Sequence, residues 1–175
     1  MYQDHLKFYP DFPIKGVNFV DVLPFMQDKE VFTAITRDLG ALCASPNVVA
    51  PEARGFLFAS PMLAVCDNVK NILTLRKKGK IPYAEGDLVQ VNILKEYGAD
   101  EVFFRRSDIL ATGGTAEGVA RALNAMTVEK DGRTYRIEVT DFVFLVELLD
   151  LKGAERLTPI APVKSLIRLE GTDEV

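Results

Sequence analysis

Between Asn47 and Leu75 the chain reads as strand, turn, helix, strand, and this unit limits the fold more than any other stretch. Asn47-Val48-Val49-Ala50 is a short buried strand, and Pro51-Glu52-Ala53-Arg54-Gly55 is a turn. Residues 56–65 form an apolar helix, with Pro61 in its first turns, and residues 69–75 form a second strand. The alternation continues along the chain. Val31, Ile35, Leu39 and Leu42 have helical spacing over residues 28–42, with Asp28 as the cap. Residues 116–126 are a helix, 142–149 a strongly apolar strand, and 165–169 a last strand. Residues 88–94 alternate weakly and read as an extended arm, while Val102-Phe103-Phe104 is apolar but very short. Lys130-Asp131-Gly132 is a turn signal ahead of alternation over 133–139. Strands alternating with helices imply an α/β fold with a central, mainly parallel sheet flanked by helices. In such sheets ligands sit beyond the carboxyl ends of the strands. Three junctions fall there: residues 51–55, 76–80 and 108–115.

The chain has 175 residues, which suits one domain, 1–175, with a proper core. Residues 8–24, rich in proline, glycine and aromatics, read as an irregular hood. Apolar residues make up 48% and charged ones 26%, as in soluble globular proteins, and the net charge of −4 argues against a nucleic-acid partner. No run approaches the roughly 20 apolar residues of a membrane helix, and residues 1–8 lack the apolar core of a signal peptide. Cys43 and Cys66 lie in apolar helix-like segments and read as buried free thiols; a single histidine, His5, argues against a protein-built metal site. These features fit a reducing cytoplasm.

Leu110-Ala111-Thr112-Gly113-Gly114-Thr115 opens the helix at 116–126. Glycines let backbone N–H groups approach oxygen, hydroxyls donate further bonds, and a helix N-terminus adds partial positive charge. The loop suits a phosphate monoester; the bland reading is a helix cap with a flexible turn. It lacks the lysine of a Walker loop, and no GxGxxG is present, which argues against nucleoside triphosphates and dinucleotides. Arg76-Lys77-Lys78-Gly79-Lys80 packs four cations into five residues after a strand. Such a run is a solvated face or a site for a polyanion such as pyrophosphate. Glu52-Ala53-Arg54-Gly55 is a surface turn or a second anion contact. Glu96-Tyr97-Gly98 says almost nothing alone.

Taken in order, these pieces resemble the adenine phosphoribosyltransferases of the type I phosphoribosyltransferase group. The matching residues are Asp11-Phe12-Pro13, Gly16-Val17, Phe19, Asp21 and Pro24, then Val48-Val49 and Glu52 through Phe58. Leu75 through Pro82, Glu96-Tyr97-Gly98, Leu110 through Thr115, Leu145 through Leu148, Leu151-Lys152-Gly153 and Ser165-Leu166 complete the set. The resemblance implies transfer of ribose 5-phosphate from phosphoribosyl pyrophosphate (PRPP) to adenine, giving AMP and pyrophosphate with Mg²⁺. It implies that Ala111, Thr112, Gly113, Gly114 and Thr115 hold the 5′-phosphate. Arg54, Arg76, Lys77 and Lys80 would hold the pyrophosphate. Glu96 would assist proton transfer at the purine, with Tyr97 beside it and Phe19 in the hood over the base. Residues 78–98 would be lid and arm, with 82–96 closing over the reaction, and the chain would form a homodimer. The implied partners are PRPP and a purine base, with no membrane.

The family carries a buried apolar strand running into two adjacent acids before the phosphate loop. Two alignments of this chain remain open. In one, Ser107-Asp108 replaces the acids, making Asp108 catalytic, and Val102 onward is that strand. In the other, residues 102–109 lie upstream, and a strand of about a dozen residues is absent. Arg105-Arg106 is a poor ending for a central strand, which favours the second. Asn18 and Val20 also flank Phe19 where the family has an apolar residue and an arginine. Another purine base, or a weakened PRPP or nucleotide sensor, therefore stands as the alternative reading.

Overall fold

The computed structural model describes residues 2–85, 87–95, 98–105, 117–130 and 132–170. The strand–helix–strand unit is present as β3 (Asn47–Pro51), α2 (Arg54–Val65) and β4 (Asn71–Lys77), with β3 and β4 parallel from Asn47↔Asn71 to Pro51↔Leu75. β5 (Leu88–Lys95) and β6 (Gly98–Arg105) form an antiparallel hairpin. β6 joins it to β4 through Arg76↔Phe103 and Lys77↔Val102, giving the order β3-β4-β6-β5. Among the described residues, β9 (Phe142–Leu148) and β10 (Val163–Leu169) form a second parallel pair. The architecture is α/β: among the described residues β3–β4 and β9–β10 pair parallel, and the β5–β6 arm is antiparallel within itself and against β4.

α1 (Lys29–Leu42) begins where Asp28 Oδ1 accepts the N–H groups of Glu30 at 2.9 Å and Val31 at 3.1 Å, the expected cap. It buries Ile35 and Leu39. α2 starts two residues earlier than the sequence suggests, so Pro61 lies deep inside the helix rather than in its first turns. Helices α1 and α2 approach closely at Gly40, where a Cβ would run into Cys66 Sγ. Cys43 and Cys66 are half-buried and stand just past the helix ends, not inside the helices, because each helix stops at its cap. Burial pushes the Cys43 thiol up to about 11.

The hood is a ribbon of β1 (Lys7–Tyr9) and β2 (Phe19–Asp21), registered Tyr9↔Phe19. α3 (Glu117–Asn124) is followed by the hairpin β7 (Thr127–Lys130) and β8 (Arg133–Arg136), the turn signal having placed it. α4 (Gly153–Leu157) connects β9 to β10. Two apolar clusters hold these parts. One joins Val49, Leu73 and Leu75 to α3 and Phe142; the other joins Phe25, Ile35, Leu39 and Phe58 to Ile167.

A polar clasp ties α1 to the β9–β10 pair. Lys164 Nζ donates to Asp141 Oδ2 at 2.9 Å and to Leu42 O at 2.7 Å, and Asp141 Oδ2 also accepts the Ala44 N–H at 2.9 Å. The Asp141 side chain is almost wholly buried. Asp141→Ala leaves the ammonium and the amide short of an acceptor. The expected loss is about 2 kcal/mol, read from urea unfolding; an unchanged midpoint would show the clasp to be ornamental.

Candidate active site

β3 and β4 end side by side, so the loops that follow them meet. Glu52 is the joint. Its N–H donates to Leu75 O at 2.9 Å, and its Oε2 accepts from Arg76 Nε at 3.2 Å and from the Lys77 N–H at 2.9 Å. The Lys77 amide, more than any other group, holds the Glu52 carboxyl below its usual range; Arg76 and Lys80 add to this against the cost of partial burial. The carboxylate is thus anionic at neutral pH and fixes the direction of Arg76.

The Glu52–Ala53 peptide is cis, and α2 opens directly after it without a side-chain cap. A Cβ at Gly55 would lie 2.6 Å from Pro51 Cδ, so only glycine lets the helix begin this close to the strand end. Arg54, the first residue of α2, lays its guanidinium carbon 5.2 Å from the Phe19 ring centroid. Phe19 in turn meets Phe12 edge-on at 5.1 Å. Arg76 lies 5.8 Å from the Phe56 ring. After β4 the chain turns tightly, with Lys80 N–H donating to Lys77 O at 3.1 Å and Gly79 at a φ of +73°. Lys78 leaves this group, pairing at 3.2 Å with Glu101 on the β6 strand.

Arg54, Arg76, Lys77 and Lys80 therefore gather on two adjoining loops, and Phe19 joins them from the hood. Within those loops, 52–55 and 76–80, Glu52 supplies the only carboxylate, so the surplus charge is positive and suits a multiply charged anion. Glu96, Tyr97, Asp108, Ala111, Thr112, Gly113, Gly114 and Thr115 lie outside the described residues. Val102–Arg105 belong to the β5–β6 hairpin, with Val102 opposite both Val91 and Lys77. The alignment that made Val102 onward the central strand is thus corrected: cross-strand pairing has already committed these residues to the arm. Sequence reading also missed the joint at Glu52 and the Arg54–Phe19 stack. A lone carboxylate opposite a four-cation run was the available signal for the first; nothing in the sequence announced the second.

Behind Arg54 and Phe19 lies a cavity of about 570 Å³, walled by β3, β9 and the helices α1 and α2. Its lining is overwhelmingly apolar, with Asn18 and Arg54 at the hood end.

An α/β core whose strand ends carry two cationic loops beside an aromatic hood is the layout of a type I phosphoribosyltransferase. The comparisons narrow this. The chain is 33% identical over 171 residues to the adenine phosphoribosyltransferase of Ruminiclostridium cellulolyticum, covering 89% of this chain and 92% of that one. It is 33% identical over 180 residues to that of Methanococcus maripaludis, covering 94% and 96%. The crystal structure of adenine phosphoribosyltransferase from Thermoanaerobacter pseudethanolicus superposes with a TM-score of 0.76 at 29% identity, covering 96% and 98%. The Giardia lamblia enzyme, solved with 9-deazaadenine, shares the fold with a TM-score of 0.73 at 23% identity, covering 97% of both chains. No protein-family model matches the chain. The chain belongs to the adenine phosphoribosyltransferase family and is a pentosyltransferase.

Proposed function

We propose that this chain transfers the ribose 5-phosphate of PRPP to adenine, with Arg54, Arg76, Lys77 and Lys80 receiving the pyrophosphate. The observation that carries the assignment is the convergence of the two cationic loops on Glu52, with Arg54 stacked on the hood ring Phe19. Displacement at the anomeric carbon passes through an oxocarbenium-like state, and negative charge grows on the departing pyrophosphate. Arg76, held in direction by Glu52, and Lys80 stabilise that charge where it develops. Phe19 supplies an apolar face for the base. Ala111–Thr115 bind the 5′-phosphate, and Glu96 with Tyr97 serves the purine edge. Residues 82–96 act as the lid that keeps water from the cation.

Mg²⁺ fits this donor set as an ion carried in by PRPP. Its phosphate oxygens and waters supply most ligands, and Glu52 is the carboxylate built into the loops. Bound there, the ion would neutralise part of the pyrophosphate charge. Family resemblance supports a homodimer working in the cytoplasm; among the described residues no helix is long and apolar enough to cross a membrane.

With labelled adenine, PRPP and Mg²⁺ the purified chain is expected to form AMP and pyrophosphate. Running guanine and hypoxanthine in parallel tests the base, because Asn18 and Val20 line the hood end of the cavity in place of the family's residues. Nucleotide from no purine base would overturn the reading. Glu96→Gln is expected to lower turnover by about a hundredfold with the KM for PRPP little changed; equal loss in both would move Glu96 out of proton transfer.

A further inference from the structure

The aromatic ring assigned to the base is already covered. The guanidinium carbon of Arg54 lies over the Phe19 ring, 5.2 Å from its centroid, and Phe12 stands edge-on to the same ring at 5.1 Å from the hood. The β1–β2 ribbon fixes Phe19 by pairing it with Tyr9. Arg54 and Phe19 both line the hood end of the cavity, so the covered face is the one turned to the site. The two arginines of the site are held very differently. Arg76 is tied to Glu52 at 3.2 Å. Arg54 is exposed and pairs with no carboxylate among the described residues, so the Phe19 ring is what holds it.

We propose that Arg54 is a positioning residue that couples the two halves of the site. Without pyrophosphate its guanidinium covers Phe19; when the anion takes the guanidinium, the ring face opens to the base. The inference rests on the reading above, in which the cationic loops take pyrophosphate and Phe19 takes the base. A cation over a ring at an exposed site is weakly held, and a charge-assisted bond to a phosphate oxygen is stronger. The anion has a second attraction to this place. α2 starts at Arg54 without a side-chain cap, so an anion between loops 52–55 and 76–80 meets the positive end of that helix.

A flat base and the guanidinium compete for one ring face. The chain without the anion therefore binds the base only for the fraction of time that the ring is bare, and the apparent affinity falls by that fraction. With Arg54 on the ring for about nine-tenths of the time, filling the anion site tightens base binding about tenfold. The coupling is reciprocal: the base, by keeping Arg54 off the ring, tightens pyrophosphate by the same factor. Neither ligand has to come first.

Equilibrium dialysis with labelled adenine tests the coupling without turnover, because adenine and pyrophosphate bring no ribose. The probe is inorganic pyrophosphate with Mg²⁺, at a level that saturates each protein. In the wild-type chain it should lower the adenine Kd about tenfold. Arg54→Gln removes the cation from the ring. It should bind adenine alone about as tightly as the wild type does with pyrophosphate, and pyrophosphate should then leave its Kd unchanged. A merely structural role for Arg54 predicts the reverse, weaker adenine binding in both states. Arg54→Lys keeps a cation and should retain part of the coupling. An adenine Kd that pyrophosphate does not move in the wild type would overturn the proposal, as would full coupling in Arg54→Gln. Failure of the underlying reading looks different: no nucleotide forms from PRPP and any purine base. A chain that makes AMP and shows no coupling overturns this inference alone.

Discussion

Arg76→Ala is expected to raise the KM for PRPP by ten- to a hundredfold, the equivalent of about 1.5–3 kcal/mol for a hydrogen bond to a charged group. The guanidinium is one-third exposed, held by Glu52 on one side and lying near the Phe56 ring on the other. It is therefore aimed before any ligand arrives, and little rotamer entropy is spent on binding. Arg76→Lys should fall between the two, because an ammonium restores the charge without the planar fork. The variant removes one partner of Glu52 but not the Lys77 amide, so the loop keeps its shape and the thermal midpoint should move little. A pH profile separates this from simple loss of charge. Glu52 is held below the usual carboxylate range, so its bonds to Arg76 and Lys77 are present above that range and are lost only as pH falls through the lowered value. The wild-type KM for PRPP should accordingly carry no contribution from Glu52 until well into acid. Steady-state kinetics on the three proteins decide the matter; an unchanged KM in Arg76→Ala takes this residue out of the anion site.

The parts of the fold that could be read in the chain are those whose cause is local. Asp28 caps α1 through its own side chain, Gly132 turns the β7–β8 hairpin at a φ of +71°, and the apolar runs of β3, β4, β9 and β10 mark themselves. The arm was harder. Leu88–Lys95 contains Gln90 and Asn92, and Gly98–Arg105 contains Asp100 and Glu101, so neither alternates cleanly. What makes them strands is eight pairs of partners in register across the hairpin, which no window on a single segment contains. The site divides in the same way. Basic residues after a strand can be counted in the sequence, but the choice of Glu52 as their joint depends on β3 and β4 being neighbours in register, 24 residues apart. Stacking of Arg54 on Phe19 depends further on where the hood ribbon lands.

The larger effect is expected in the core. Phe142→Ala should cost about 4 kcal/mol, a large share of the 5–15 kcal/mol that holds a domain of this kind together. Phe142 is 1% exposed and is the first residue of β9. It packs in the same cluster as Val49, Leu73 and Leu75 of the four-stranded sheet and Val119 and Leu123 of α3. Its N–H donates to Pro162 O at 2.8 Å, so the backbone at this point is fixed and cannot shift to fill the space left by the ring. Leu145→Ala is the contrast. Leu145 is on the same strand but lines the cavity and is only partly buried, so its removal enlarges an existing space rather than opening a new one. It should cost clearly less than Phe142→Ala in urea unfolding. Equal losses would mean that the cavity is closed in solution and that β9 is packed as tightly at Leu145 as at Phe142.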